Sequence, residues 1–225
     1  SCVGVSDYFA VLVILTSHNK LYDIRMDNNK FKVFTSNLDY KADNNLSDDI
    51  NAGRLLKSTI IEKNGHKYGI VGATAADMLD TISKDTKEDC LDIDFMNFEP
   101  SVISVQEEVN KLKKQGINKI ILLSHLGIER DKLLAQATDG IDVIVGGHSH
   151  TTLNGIKSNE NYFASLSGEP VLIVQAGQNG DKFGTLDVIF DKNGKLKAAT
   201  NNITPLKNYK DSLVVDYLEK ISFDK

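Results

Sequence analysis

Three of the five histidines of this 225-residue chain fall in two short stretches, Ser124-His125-Leu126-Gly127 and Gly146-Gly147-His148-Ser149-His150. A neutral imidazole is the commonest side-chain ligand for divalent transition metals. Three gathered at one point would hold a divalent ion without thiolate help, although they do not decide between zinc and manganese. If the segment after Gly147 is extended, His148 and His150 point to the same side. The plain alternative is that each histidine caps a strand end and hydrogen-bonds locally. Clustering is what favours the metal.

The elements around these stretches are predicted to bring them together. Lys119–Leu123 and Ile141–Val145 are β-branched, apolar runs of the kind buried on both faces of a parallel sheet. Val102, Val105, Val109 and Leu112 recur at helical spacing, with Pro100 near the start, Lys111, Lys113 and Lys114 in the last turn and Gly116 as terminator. The spacing predicts a helix over 101–115. A short helix is expected over Arg130–Ala137. Strand, helix and parallel strand in that order put both histidine loops at one carboxyl edge of the sheet, where ligands collect in α/β folds.

Elsewhere, Asn64-Gly65 between Lys57–Lys63 and Lys67–Ala73 is a strong hairpin signal. Val171–Val174, Gly184–Phe190 and a strand beyond the turn Asp191-Lys192-Asn193-Gly194 read as antiparallel hairpins of a second sheet. Tyr8–Leu15 reads as a buried strand and Asp211–Ile221 as a helix. The fold class is α/β with mixed sheets, free of internal repeats and of a Pro/Gly-rich linker.

Composition narrows the function classes. A hydrophobic content of 41% suits one ordinary domain. The net charge of −5 and a pI near 5.5, with lysines scattered among acids, supply no basic field for nucleic acid. Tyr8–Leu15 is too short for a membrane span and follows Asp7 where a signal peptide would carry positive charge. Cys2 and Cys90 make neither a disulfide framework nor a thiolate site, and a single bridge between them is left open. Gln175-Ala176-Gly177 with Gly180 reads as a glycine turn, not a phosphate cradle. Asp131, Asp139 and Asp142 have the chemistry to orient metal-bound imidazoles, but helix-turn and solvent-facing roles are assigned to them.

The two histidine stretches do not stand alone. With Phe34-Thr35-Ser36-Asn37-Leu38-Asp39-Tyr40, the segment 61–74, Val174-Gln175-Ala176-Gly177 and Gly184-Thr185-Leu186-Asp187, they resemble the calcineurin-like metallophosphoesterases. Within these, the likeness is to the 5'-nucleotidase and 2',3'-cyclic phosphodiesterase family, and it covers most of residues 31–191. It implies part of a four-layer α-β-β-α sandwich: residues 31–209 as the C-terminal part of the metallophosphoesterase domain, 1–30 as a diverged or truncated N-terminal segment, and 210–225 as a terminal helix leading toward a C-terminal domain that the chain is expected to lack.

The same resemblance implies that His125 and His148 ligate one metal of a dinuclear pair and His150 the other. The family's remaining ligands come from an Asp-x-His motif, a Gly-Asp motif whose Asp bridges the metals, and a Gly-Asn-His-Glu motif carrying an Asn ligand and the acid histidine. None of the three stands upstream of Ser124 here. Thr16-Ser17-His18-Asn19 has the reverse order, and His18 is read as a solvated loop residue.

The implied activity is hydrolysis of a nucleotide or other small phosphoester by a water activated between two divalent ions, in the periplasm or outside the cell. Catalytic and substrate-binding residues stay unassigned. With the upstream motifs missing, a complementary N-terminal chain or self-association is expected. Two alternatives remain open: an inactive fragment that binds one metal through His125 and His148 as a binding module, and an interaction domain whose histidines hold nothing.

Overall fold

The computed structural model of the chain describes residues 33–39, 50–53, 55–75, 77, 94–178 and 181–205. The expected strand Tyr8–Leu15, His18, Cys2, Cys90, Gly180, the segment 1–30 and the terminal helix all lie outside those residues.

In chain order the described elements are β1 (Val33–Phe34), β2 (Leu38–Asp39), β3 (Leu55–Leu56), β4 (Ser58–Lys63), β5 (His66–Thr74), β6 (Asp94–Phe95), α1 (Phe98–Lys114), β7 (Ile120–His125), α2 (Ile128–Ala137), β8 (Val143–Val145), β9 (Tyr162–Ala164), β10 (Pro170–Val174), β11 (Lys182–Phe190) and β12 (Leu196–Pro205). A six-stranded mixed sheet of order β4-β5-β7-β8-β10-β9 forms the centre. Its four inner strands are parallel, and the edge strands β4 and β9 run antiparallel to their neighbours.

Period-two alternation divides this sheet between two cores. Ile120, Leu122, Ile144 and Ile173 face α1 and α2, which contribute Val105, Val109, Leu112, Leu134 and Ala135. Ile121, Leu123 and Val143 face the other way, toward Phe34 and the partly buried Leu186, Val188 and Phe190 of the antiparallel β11–β12 ribbon. The described residues thus stack as helices, central sheet and second sheet. The Asn64-Gly65 hairpin forms with Lys63 opposite His66 and left-handed φ at both turn residues, +53° and +74°, as a two-residue turn matched to strand twist requires.

The helix read over 101–115 starts earlier, at Phe98, and so takes Pro100 into its first turn, where a missing N–H costs nothing. It stops as expected. Gly116, at φ +81°, donates to the Lys113 carbonyl while Ile117 N–H reaches Leu112, which closes the helix end.

Val171–Val174 is not in the second sheet. It lies in β10, parallel to β8 and between β8 and β9. Val171, Leu172 and Ile173 are all buried, and three successive apolar residues need cover on both faces, which only an interior strand supplies.

Asp142 fastens the amino ends of these strands, its Oδ2 accepting from Ile120 N–H at 2.7 Å. Burial pushes its carboxyl up to about 7. A raised folded pKa means that the group's stabilising contribution is complete below the unfolded value near 3.8 and is lost as pH rises through about 7. Asp142→Asn keeps the acceptor and removes the titration. It should therefore gain on the native protein by about 1–4 kcal/mol between pH 4 and 8, read as the difference between two denaturant-melt series. Parallel series for the two proteins would refute the assignment.

Candidate metal centre

His125 is the final residue of β7 and pairs in register with Thr74 at the end of β5. Asn37 clamps that strand end. Its Nδ2 donates to the Thr74 carbonyl at 2.7 Å and to Ser101 Oγ at 2.8 Å, and its Oδ1 accepts from Thr74 N–H at 2.8 Å. The Phe34–Asn37 segment and the first turn of α1 are thereby tied beside the first histidine. One strand over, β8 ends at Val145, and Gly146 N–H bonds the Val174 carbonyl as the chain turns into the second histidine loop.

That loop is not extended. His148 and His150 both adopt left-handed backbone, with φ of +70° and +55°. This conformation is uncommon for residues other than glycine, though histidine enters it more readily than most. The extended geometry expected for the pair is therefore corrected: glycine-led turning, not strand pleat, orients these rings.

The structure brings two of the three imidazoles into contact. The rings of His125 and His148 meet edge to face, with centroids 5.3 Å apart and planes at 74°. Gly127 makes the turn between β7 and α2 at φ +92°, a left-handed conformation that glycine adopts without strain. His125 Nδ1 is buried with no hydrogen-bond partner. Burial, and then the nearby His148 and His150, lower the His125 pKa from 6.5 to about 4, against the opposing charge of Asp77. The ring is therefore neutral at physiological pH, and its lone pair is free. His150 is exposed at the rim. Among the described residues, no three His, Cys, Asp or Glu side chains are closed around one point. An unprotonated imidazole with an orphaned nitrogen against a second imidazole fits part of a divalent-metal site.

Asp77 and Arg130 flank the pair, and neither stood out in the sequence. Arg130 Nη1 donates to Asp77 Oδ1 at 3.0 Å, while Asp77 Oδ2 lies 3.7 Å from His148 Nε2. Burial works to raise the Asp77 pKa, but the hydrogen bond and charge of Arg130 and the charge of His148 hold it below the usual carboxylate value. Asp131 corrects another expectation. It is wholly buried, not solvent-facing, and Ser124 Oγ donates to its Oδ1 while accepting from Leu126 N–H. That bracket encloses His125. Burial raises the Asp131 pKa to about 7. Asp139 does take a surface turn role, capping Ser167 N–H.

Gln175, which the sequence places in a glycine turn, belongs to this centre as well. It is 4% exposed, and its Oε1 accepts from Ser149 Oγ at 3.0 Å. Only its place just after the apolar β10 run, opposite the second histidine loop, could have marked it.

No family model matches the chain. Curated proteins do. Over 192 residues the chain is 35% identical to a 5'-nucleotidase of Diplobatis ommata, a match covering 81% of this chain and 31% of that protein. Over 152 residues it is 36% identical to a probable 5'-nucleotidase of Treponema pallidum (strain Nichols), covering 63% of this chain and 24% of the relative. Among solved structures, a 5'-nucleotidase precursor from Thermus thermophilus matches with a TM-score of 0.68 at 27% identity, over 89% of this chain and 40% of that one. The chain spans about a quarter to a third of the length of these curated relatives.

Proposed function

Because the chain belongs to the 5'-nucleotidase family of metallophosphoesterases, we propose that it is the later part of a catalytic domain, residues 31–209, that hydrolyses nucleotide phosphoesters with divalent metal. His125 and His148 would hold one ion and His150 would face a second. The observation that carries this reading is the contact of His125 and His148 at the carboxyl edge of parallel strands, with His125 Nδ1 buried and unpartnered.

When bound, the ions supply Lewis acidity toward a phosphoryl group and make water easier to deprotonate. The chain's own residues prepare the place. Burial keeps His125 unprotonated, so that no proton competes for its lone pair. Arg130 holds Asp77 ionised, with its other oxygen 3.7 Å from His148 Nε2, so that a negative charge stands beside the place where a cation would bind. Asn37 and Asp131 fix the strand end and the turn on either side of His125.

Metal content after purification without chelator should be at least one zinc or manganese ion per chain. Phosphate release from a nucleoside monophosphate should appear once a polypeptide carrying the Asp-x-His, Gly-Asp and Gly-Asn-His-Glu motifs is added. Metal-free protein whose melting point ignores chelator, with no phosphate release in any mixture, would refute the reading. Among the described residues no helix is long and apolar enough to cross a membrane, and we place the activity outside the cytoplasm, as the family resemblance implies.

A further inference from the structure

We propose that the Ser149 hydroxyl, seated on the buried amide of Gln175, is the positioning group that fixes the His148–His150 loop against the His125 loop. For its ligand this rests on the metal-site reading above; for its geometry it does not.

A serine hydroxyl has one proton to donate and two lone pairs to accept with, and here each has a use. Ser149 Oγ donates to Gln175 Oε1 at 3.0 Å, accepts from Ile128 N–H at 3.1 Å and lies 3.0 Å from Thr151 Oγ1. The Ile128 bond is the telling one. Ile128 opens α2, and the first N–H groups of a helix have no partner within it. The cap position is Gly127, which has no side chain to serve them. A hydroxyl from the other histidine loop does so instead. The segment Gly127-Ile128, directly after His125, is thus bonded to the residue between His148 and His150.

Gln175 supplies the fixed end. β10 and the residues after it hold the loop at several points, with Gly146 N–H on the Val174 carbonyl, Leu153 N–H on the Gln175 carbonyl and Gly177 N–H on the Thr151 carbonyl. Left-handed backbone at two histidines persists only where the surroundings over-determine it, and the residue bonded to a buried side chain is the one between them.

The test uses Ser149→Ala, a small change at an exposed residue, with Ser149→Thr to restore the hydroxyl. In the metal-free protein the imidazole nitrogen resonances of His148 and His150 should move or broaden in Ser149→Ala and return toward native positions in Ser149→Thr. Cobalt(II) titration should show affinity falling roughly 10- to 100-fold in Ser149→Ala, and the melting point in chelator should fall by a few degrees as the helix cap is lost. Imidazole resonances that coincide with those of the native protein overturn the proposal, whatever happens to the melting point. Resonances that respond in a protein whose native form takes up no cobalt uphold the positioning role and remove the metal reading instead.

Discussion

His125→Ala should strip the protein of its retained metal and abolish metal-dependent phosphate release, while leaving the metal-free protein nearly as stable as before. The two halves of that expectation come from one fact. A nitrogen buried without a hydrogen-bond partner costs about 1–3 kcal/mol, so alanine relieves a penalty while opening a small cavity whose cost is of similar size. The terms oppose each other. Such a residue is kept for what it binds, and stability is not what it supplies. The same substitution at the half-buried His148 should cost metal equally, since one lone donor holds an ion poorly. His66→Ala on the exposed hairpin is the control and should change neither quantity. Elemental analysis and chelator melts of the three variants decide it: metal unchanged in His125→Ala would leave the orphaned nitrogen unexplained and the site unsupported.

What could be read in advance follows the range of the forces involved. Runs such as Ile120–Leu123 announce themselves because burial on both faces of a parallel strand leaves no polar position, and the order of elements then places His125 and the His148 loop at the ends of neighbouring strands. Asn64-Gly65 and Gly116 were legible because a positive φ is a local demand. The left-handed backbone at His148 and His150 was not, since no local rule asks it of histidine. Ser149 between them is bonded to Gln175 and Ile128, partners that reach it only after the sheet has closed. Asp77 was missed for a related reason, its partner Arg130 lying far along the chain. The buried Asp131 looked like an ordinary acid in the first turn of a helix. Sequence shows that it favours the helix dipole, but not that Ser124 and the turn after it take up one of its oxygens.

Gly72→Ala, a change of one methyl group that touches no histidine, should destabilise the protein by about 3–5 kcal/mol. The reason is backbone against backbone. A Cβ on Gly72 would overlap the carbonyl carbon and oxygen of Phe34, and neither chain can give way easily. Gly72 N–H is bonded to the Lys57 carbonyl and its own carbonyl to Ser36 N–H, so β5 is held on both sides at this residue. Phe34 is in turn buried against Ile121 and Leu123. Two residues on, Thr74 carries the Asn37 clamp and pairs with His125. A displaced Phe34–Asn37 segment should thus be felt at the histidine as well as in the melt. For a chain of this length the melting point should fall on the order of 10 °C, and cobalt affinity should weaken with it. If Gly72→Ala melts within about 2 °C of the native protein, the segment that opens the described structure does not lie across β5. The clamp on the His125 strand end would then have to be abandoned with it.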